Sequence, residues 1–251
     1  DGKLHDVRFA KDPNHRKIMK DNKTYLDRGP RRINFSEDRT CNLSCPSCRT
    51  SIISIDKDDL DKIKAFREKF LPRLLETAGS IFVCSAGDPF ASPIYKDFLF
   101  NLDGKKYPQL EINILTNGVL FTPQTWQSMI KIHKNLHTIF ISLDAAKEDT
   151  YNIVRRGGDL NKAISNIEFL STLLNTGTIN KLQLDFVVQD TNFRELPDFV
   201  ALGIRLKVSK VYFQKISNWG SYDSNEFKNK DICSPQHPQH SEFLKVCSNK
   251  I

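Results

Sequence analysis

No run of apolar residues in this chain approaches the roughly 18 that a membrane-spanning helix needs. The opening, Asp-Gly-Lys, has neither an initiator methionine nor a signal-like apolar stretch, and it reads as the start of a segment of a longer protein. Helical repeats and low-complexity linkers are also missing, which excludes solenoids and beads on a flexible string. Glutamate is absent from residues 1–32, where ten Lys or Arg face five Asp. That local excess, 10 − 5 = +5, supplies most of the chain's net charge of +7. Lys3, Arg8, Lys11, Arg16, Lys17, Lys20, Lys23, Arg28, Arg31 and Arg32 make a basic lead-in suited to a solvated face, a nucleic acid, an acidic peptide or a phosphorylated sugar.

Six cysteines are present, too few and too clustered for a disulfide scaffold in 251 residues. Three of them stand in Arg39-Thr-Cys-Asn-Leu-Ser-Cys-Pro-Ser-Cys-Arg49, so Cys41, Cys45 and Cys48 share one loop. A fourth partner is missing from that run. Structural zinc sites are closed by four protein ligands, whereas reactive metal sites keep a position open. Thiolates are also the usual holders of four-iron, four-sulfur clusters. The residues alone leave two readings: a zinc site completed by a distant His or by Cys84, which with the basic lead-in would suit a nucleic-acid interaction module, or an iron–sulfur cluster with one open iron. Clustered reduced thiols place the protein in the cytoplasm.

A chain of 251 residues with 39% hydrophobic and 27% charged content suits one sizeable globular core. Short apolar runs at 33–35, 80–84, 110–115, 138–142, 181–188 and 210–214 read as strands. Helical periodicity is expected over about 58–77, with Pro72 predicting a kink or break, and over 123–133, 147–154, 160–175 and 195–202. Alternation of this kind builds a parallel sheet from βαβ units. Polar and glycine-rich residues gather just after the strands, at the end where sites in such sheets lie. The fold expected is α/β, a partial (β/α)6 TIM-like barrel over 33–216, preceded by the lead-in 1–32 and followed by a short irregular extension, 217–251.

The cysteine loop resembles that of the radical S-adenosylmethionine (SAM) enzymes, in the branch that carries a SPASM or shortened twitch tail. One departure is Ser47, where many members have an aromatic residue. The resemblance implies that Cys41, Cys45 and Cys48 hold a [4Fe-4S] cluster whose open iron takes SAM. It implies a SAM amino-group site at Ala86, Gly87 and Asp88, in the place of the family's Gly-Gly-Glu-Pro-like turn. Asn117, in Thr116-Asn-Gly118, lines the cavity on this reading. Ser142 meets the ribose or methionine end, and Arg155 or Arg156 pairs with the SAM carboxylate near Asp144, whose other reading is a helix N-cap. Gln189 and Asn192 lie where relatives position adenine or ribose.

The chemistry so implied is reductive cleavage of SAM to a 5′-deoxyadenosyl radical that takes hydrogen from substrate. The electron donor would be a flavodoxin or ferredoxin. Substrate classes in that branch are carbohydrate-like or other small polar molecules, and peptides or proteins; no membrane partner is implied, and nucleic acid is disfavoured. Cys84 reads as a core residue. Cys233 and Cys247, with His237 and His240 between them, form the other potential metal-binding set, two cysteines short of a usual auxiliary cluster.

Overall fold

The computed structural model of the protein describes residues 13–26, 28–84 and 86–248. Lys3, Arg8, Lys11 and Ser85 therefore lie outside the described residues. Within the basic lead-in, Pro13–Lys20 forms a short helix, α1.

Six strands follow: β1 (Arg32–Phe35), β2 (Ser80–Val83), β3 (Glu111–Thr116), β4 (Leu136–Ser142), β5 (Lys181–Val188) and β6 (Lys210–Lys215). They pair in sequence order and every pair is parallel. The edge strands β1 and β6 are not joined to each other, so the sheet curls as a partial barrel and stays open. Between strands run α2 (Lys57–Thr77), α3 (Pro93–Asn101), α4 (Pro123–Ser128), α5 (Glu148–Val154), α6 (Leu160–Asn175) and α7 (Leu196–Arg205).

Strand alternation sorts the two faces. Phe35, Val83, Ile114, Ile139 and Leu182 form one registered row, and all are buried beneath the helices. The opposite, inner face carries Asn34, Phe82, Asn113, Phe140, Gln183 and Tyr212, a more polar and more open set. Phe82 and Phe140 pack there with ring centroids 5.4 Å apart.

Three local expectations change. Pro72 does not break α2, which runs through 21 residues. Pro72 and Glu68 both face solvent, so the carbonyl that loses its donor is open to water. The helix expected over 123–133 is a short α-helix followed by a 3-10 segment, Ile130–Asn135. Helix α3 has no counterpart in the sequence reading, although Ser92 caps it through the Tyr95 amide and Pro93 opens it.

The extension is more ordered than its weak periodicity implied. It forms α8 (Ser224–Lys230), begun by an Asp223–Glu226 capping box, and α9 (His240–Ser248). Ile232 is fully buried in the main core, and Cys233, Phe243 and Val246 pack against that core.

Candidate functional site

The chain leaves β1 directly into the cysteine loop, at the carboxyl ends of the parallel strands. Asp38 anchors that loop: its carboxylate accepts from the Thr40 amide at 2.8 Å and from Ser92 Oγ at 2.5 Å. A bridge from the Cys41 amide to the Ile53 carbonyl, 3.0 Å, closes the loop's far side. Cys41 and Cys45 are buried and Cys48 is half-buried. Burial is the main reason that the Cys41 thiol is pushed up to about 11 and the Cys45 thiol above its ordinary value.

Each sulfur has its own donor. The Leu43 amide reaches Cys41 Sγ at 3.5 Å, with Asn117 Nδ2 at 4.0 Å. Arg155 Nη1 lies 3.8 Å from Cys45 Sγ, and Arg49 Nη2 lies 3.3 Å from Cys48 Sγ. Arg49, buried, also donates to the carbonyls of Arg39 (2.7 Å) and Ala86 (2.8 Å), tying the loop to the turn after β2. Two guanidinium groups and two amides directed at three thiols suit a thiolate-held cluster. Among the described residues, no three His, Cys, Asp or Glu side chains gather closely enough for a single metal ion. A four-iron cluster offers each thiolate a separate iron, so the triplet's spread fits a cluster better than zinc.

Around the loop, the residues singled out in the sequence converge at the same sheet edge. Asp88 is wholly buried, and its carboxylate accepts from the Asn117 amide (2.9 Å), Thr116 Oγ1 (2.7 Å) and the Phe90 amide (3.0 Å). Its side chain is turned to the end of β3, while its own amide holds the Thr40 carbonyl at 2.9 Å. Burial raises its pKa, against those hydrogen bonds. Gly87 is fixed by space: a Cβ there would sit 2.3 Å from the Thr40 carbonyl oxygen. Cys84 and Asp144, just after β2 and β4, have positive φ values of 68° and 61°. Cys84 is fully buried in the core, as expected, and accepts from the Gly87 amide at 3.2 Å.

Asp144 does not cap a helix. Its carboxylate takes Arg155 Nη2 at 2.7 Å and the Val187 amide at 2.8 Å, while Glu195 braces the segment leading into α5 through the Ala146 and Lys147 amides and Thr150 Oγ1. Burial opposes the Arg155 charge, but Asp144 and then Cys45 outweigh it, and its pKa rises. Arg155 Nε and the Tyr151 hydroxyl are buried without a protein partner, beside Cys45. Arg156 points elsewhere, bracing the loop through Ser44 Oγ (3.1 Å) and the Thr50 carbonyl (2.9 Å). Asn117 also donates to Asn42 Oδ1 at 2.9 Å. Asn192 spends its side chain on the Asp144 and Val187 carbonyls and the Gln189 amide, each at 2.9 Å. Gln189 is buried beside it, and Ser142 lies half-buried at the end of β4's inner face.

The tail histidines are not gathered into a site. His237 Nε2 meets the Asn229 carbonyl and His240 Nδ1 the Ile232 carbonyl, both at 3.0 Å. A cavity of about 490 Å³ between Gln109, His133, His137 and Asn180 opens at the amino ends of the strands. The cysteines lie at the other end, where parallel sheets place their chemistry. A smaller cavity of about 260 Å³, lined by Arg39, Cys48, Arg49 and Trp219, opens beside the cysteine loop.

The radical SAM superfamily profile matches residues 39–181. The chain belongs to the radical SAM superfamily. It is a radical SAM enzyme, and its cofactors are a [4Fe-4S] cluster and S-adenosylmethionine. Over 239 residues it is 27% identical to the GTP 3′,8-cyclase of Clostridium botulinum strain Okra, covering 90% of this chain and 69% of the relative. Among solved structures, Streptococcus suis SuiB bound to S-adenosylmethionine aligns with a TM-score of 0.58 at 15% identity, over 94% of this chain and 51% of SuiB. Native anSMEcpe with bound AdoMet and the Cp18Cys peptide aligns with a TM-score of 0.58 at 18% identity, over 86% of this chain and 57% of its own. The chain thus spans about half the length of these solved structures, which share its fold.

Proposed function

We propose that this radical SAM enzyme acts on a small polar substrate bearing ring hydroxyls, with a purine nucleotide, the substrate in the name of the Clostridium relatives, as the first candidate. The observation that carries the site assignment is the set of separate donors at the three sulfurs, from Asn117 and Leu43, Arg155 and Arg49. In this reading Cys41, Cys45 and Cys48 hold the cluster. The backbone of Ala86–Asp88 receives the SAM amino group, Arg155 its carboxylate, and Ser142 and Gln189 its ribose and adenine. Asp88, Asn117, Asp144 and Asn192 position those groups through the hydrogen bonds already described. When bound, the cofactor pair supplies a carbon radical able to take hydrogen from an unactivated C–H bond. The protein's part is to hold the substrate on the polar inner face and to exclude water there. A flavodoxin or ferredoxin is the proposed electron donor, and six unbridged cysteines support a reducing, cytoplasmic setting.

The test is anaerobic reconstitution with iron and sulfide, followed by reductant, SAM and GTP, with 5′-deoxyadenosine as the product measured. Cys41→Ala, Cys45→Ala or Cys48→Ala should each abolish it. Tight zinc with no reconstitutable cluster would overturn the assignment.

A further inference from the structure

One group on the inner face is used by none of the contacts above. Asp185 stands in β5, in register with Ser142 on one side and Tyr212 on the other. Its strand neighbours Leu184 and Phe186 point the other way, into the helix-covered core. Asp185 is only 7% exposed. Among the described residues a single side-chain hydrogen bond reaches its carboxylate, from Gln183 Nε2 to Oδ1 at 2.6 Å.

That poverty is unlike the chain's other buried site carboxylates. Asp88 collects three donors, and Asp144 has an amide and the Arg155 guanidinium. A carboxylate largely withdrawn from water, with one neutral partner and its second oxygen still reachable, gains from a further donor. Burial pushes its carboxyl up to about 6, with the Gln183 hydrogen bond acting against the rise. Lys210, opposite Gln183 on β6, lies with Nζ 4.7 Å from the Tyr212 ring centroid. Among the described residues Asp185 makes no ion pair, and the Arg155 and Lys210 charges act on it only from further away.

We propose that Asp185 is a substrate-binding residue whose free Oδ2 accepts a hydrogen bond from a ring hydroxyl, with Ser142, Gln183 and Tyr212 framing the same ring. This rests on the reading of a small hydroxylated substrate. A carboxylate is the group that dinucleotide-binding sites use for ribose hydroxyls. A buried acceptor also discriminates, because an analogue lacking the hydroxyl leaves it unpaired. Ser142, proposed for the cofactor, is Asp185's neighbour on β4, so a ring held here lies beside the SAM end of the barrel.

The test uses the reconstituted protein with SAM and calorimetric titration of two probes, GTP and 2′,3′-dideoxy-GTP. Asp185→Asn keeps the side chain's shape and should weaken GTP binding about tenfold or more. The dideoxy probe should bind the unaltered protein as weakly as GTP binds the variant, and the variant should cost it little further, since both changes remove one interaction. Equal GTP affinity in the two proteins, or no GTP binding by the unaltered protein, would overturn the proposal. A parallel fall in SAM affinity would also overturn it, by moving Asp185 into the cofactor site. Absence of 5′-deoxyadenosine with intact GTP binding would instead count against the proposed reaction, so the two failures are separable.

Discussion

Arg155 links the cysteine loop to the turn after β4. Its guanidinium joins Asp144 to the Cys45 sulfur, at 2.7 and 3.8 Å. Breaking a buried pair from one side leaves an uncompensated charge. Arg155→Met should therefore lower stability by about 3 kcal/mol, read from the urea midpoint of cluster-free protein, and should also lose SAM binding. Asp185 behaves in the opposite sense. Burial pushes its carboxyl up to about 6 from the ordinary 3.8, so the folded state binds the extra proton between those values. Stability falls as pH rises through that window. Asp185→Asn should be more stable than the unaltered protein by roughly 2 kcal/mol at pH 7, and the gap should close towards pH 4. A gap that does not change with pH would show that Asp185 is not the titrating group.

At the scale of elements, the site is made by turns that leave strands at their carboxyl ends and lean on one another. The turn after β2 is pinned to the cysteine loop by the Asp88 amide and by Arg49 at Ala86. Gly87 lies between them, with no room for a methyl group against the Thr40 carbonyl. Gly87→Ala should push the two turns apart and reduce iron incorporation, measured as iron per chain after reconstitution. Full loading would mean that the Thr40 segment moves at little cost. Helix α3 belongs to the same device, because its cap Ser92 also holds Asp38 at the entrance to the loop.

Over the whole molecule, an apolar core extends from the sheet's helix-covered face to the tail, which adds the buried Ile232 to it beside the Lys215–Asp231 and Lys230–Asp190 ion pairs. Ile232 is fully buried, whereas the Arg194–Glu242 pair at 2.7 Å is about half exposed at both ends. Ile232→Ala should cost about 2–4 kcal/mol, and Glu242→Ala less than about 1 kcal/mol. Thermal melts of the two variants would check the order. The reverse order would mean that the tail is held at its surface.

The sequence by itself determined the sheet and the metal loop. Strand runs with alternating faces, amphipathic helices between them and three cysteines in eight residues are local patterns, and local patterns follow from periodicity and side-chain chemistry. It also brought the residues singled out to one edge, because polar residues after parallel strands fall together there. What it did not carry was the direction in which those side chains are spent. Asp88 and Asn192 look like ligand-facing groups in the sequence, yet their polar atoms bind neighbouring turns. Asp144 looks like a helix cap, yet its carboxylate is spent on Arg155 and on the Val187 amide, and α5 has no side-chain cap. Arg49 and Asp185 carry no sequence signal of their own. Which buried polar atom is satisfied, and by which distant partner, is fixed only when the strands are in register, and that is why the tertiary structure alone left Asp185 with an oxygen to spare.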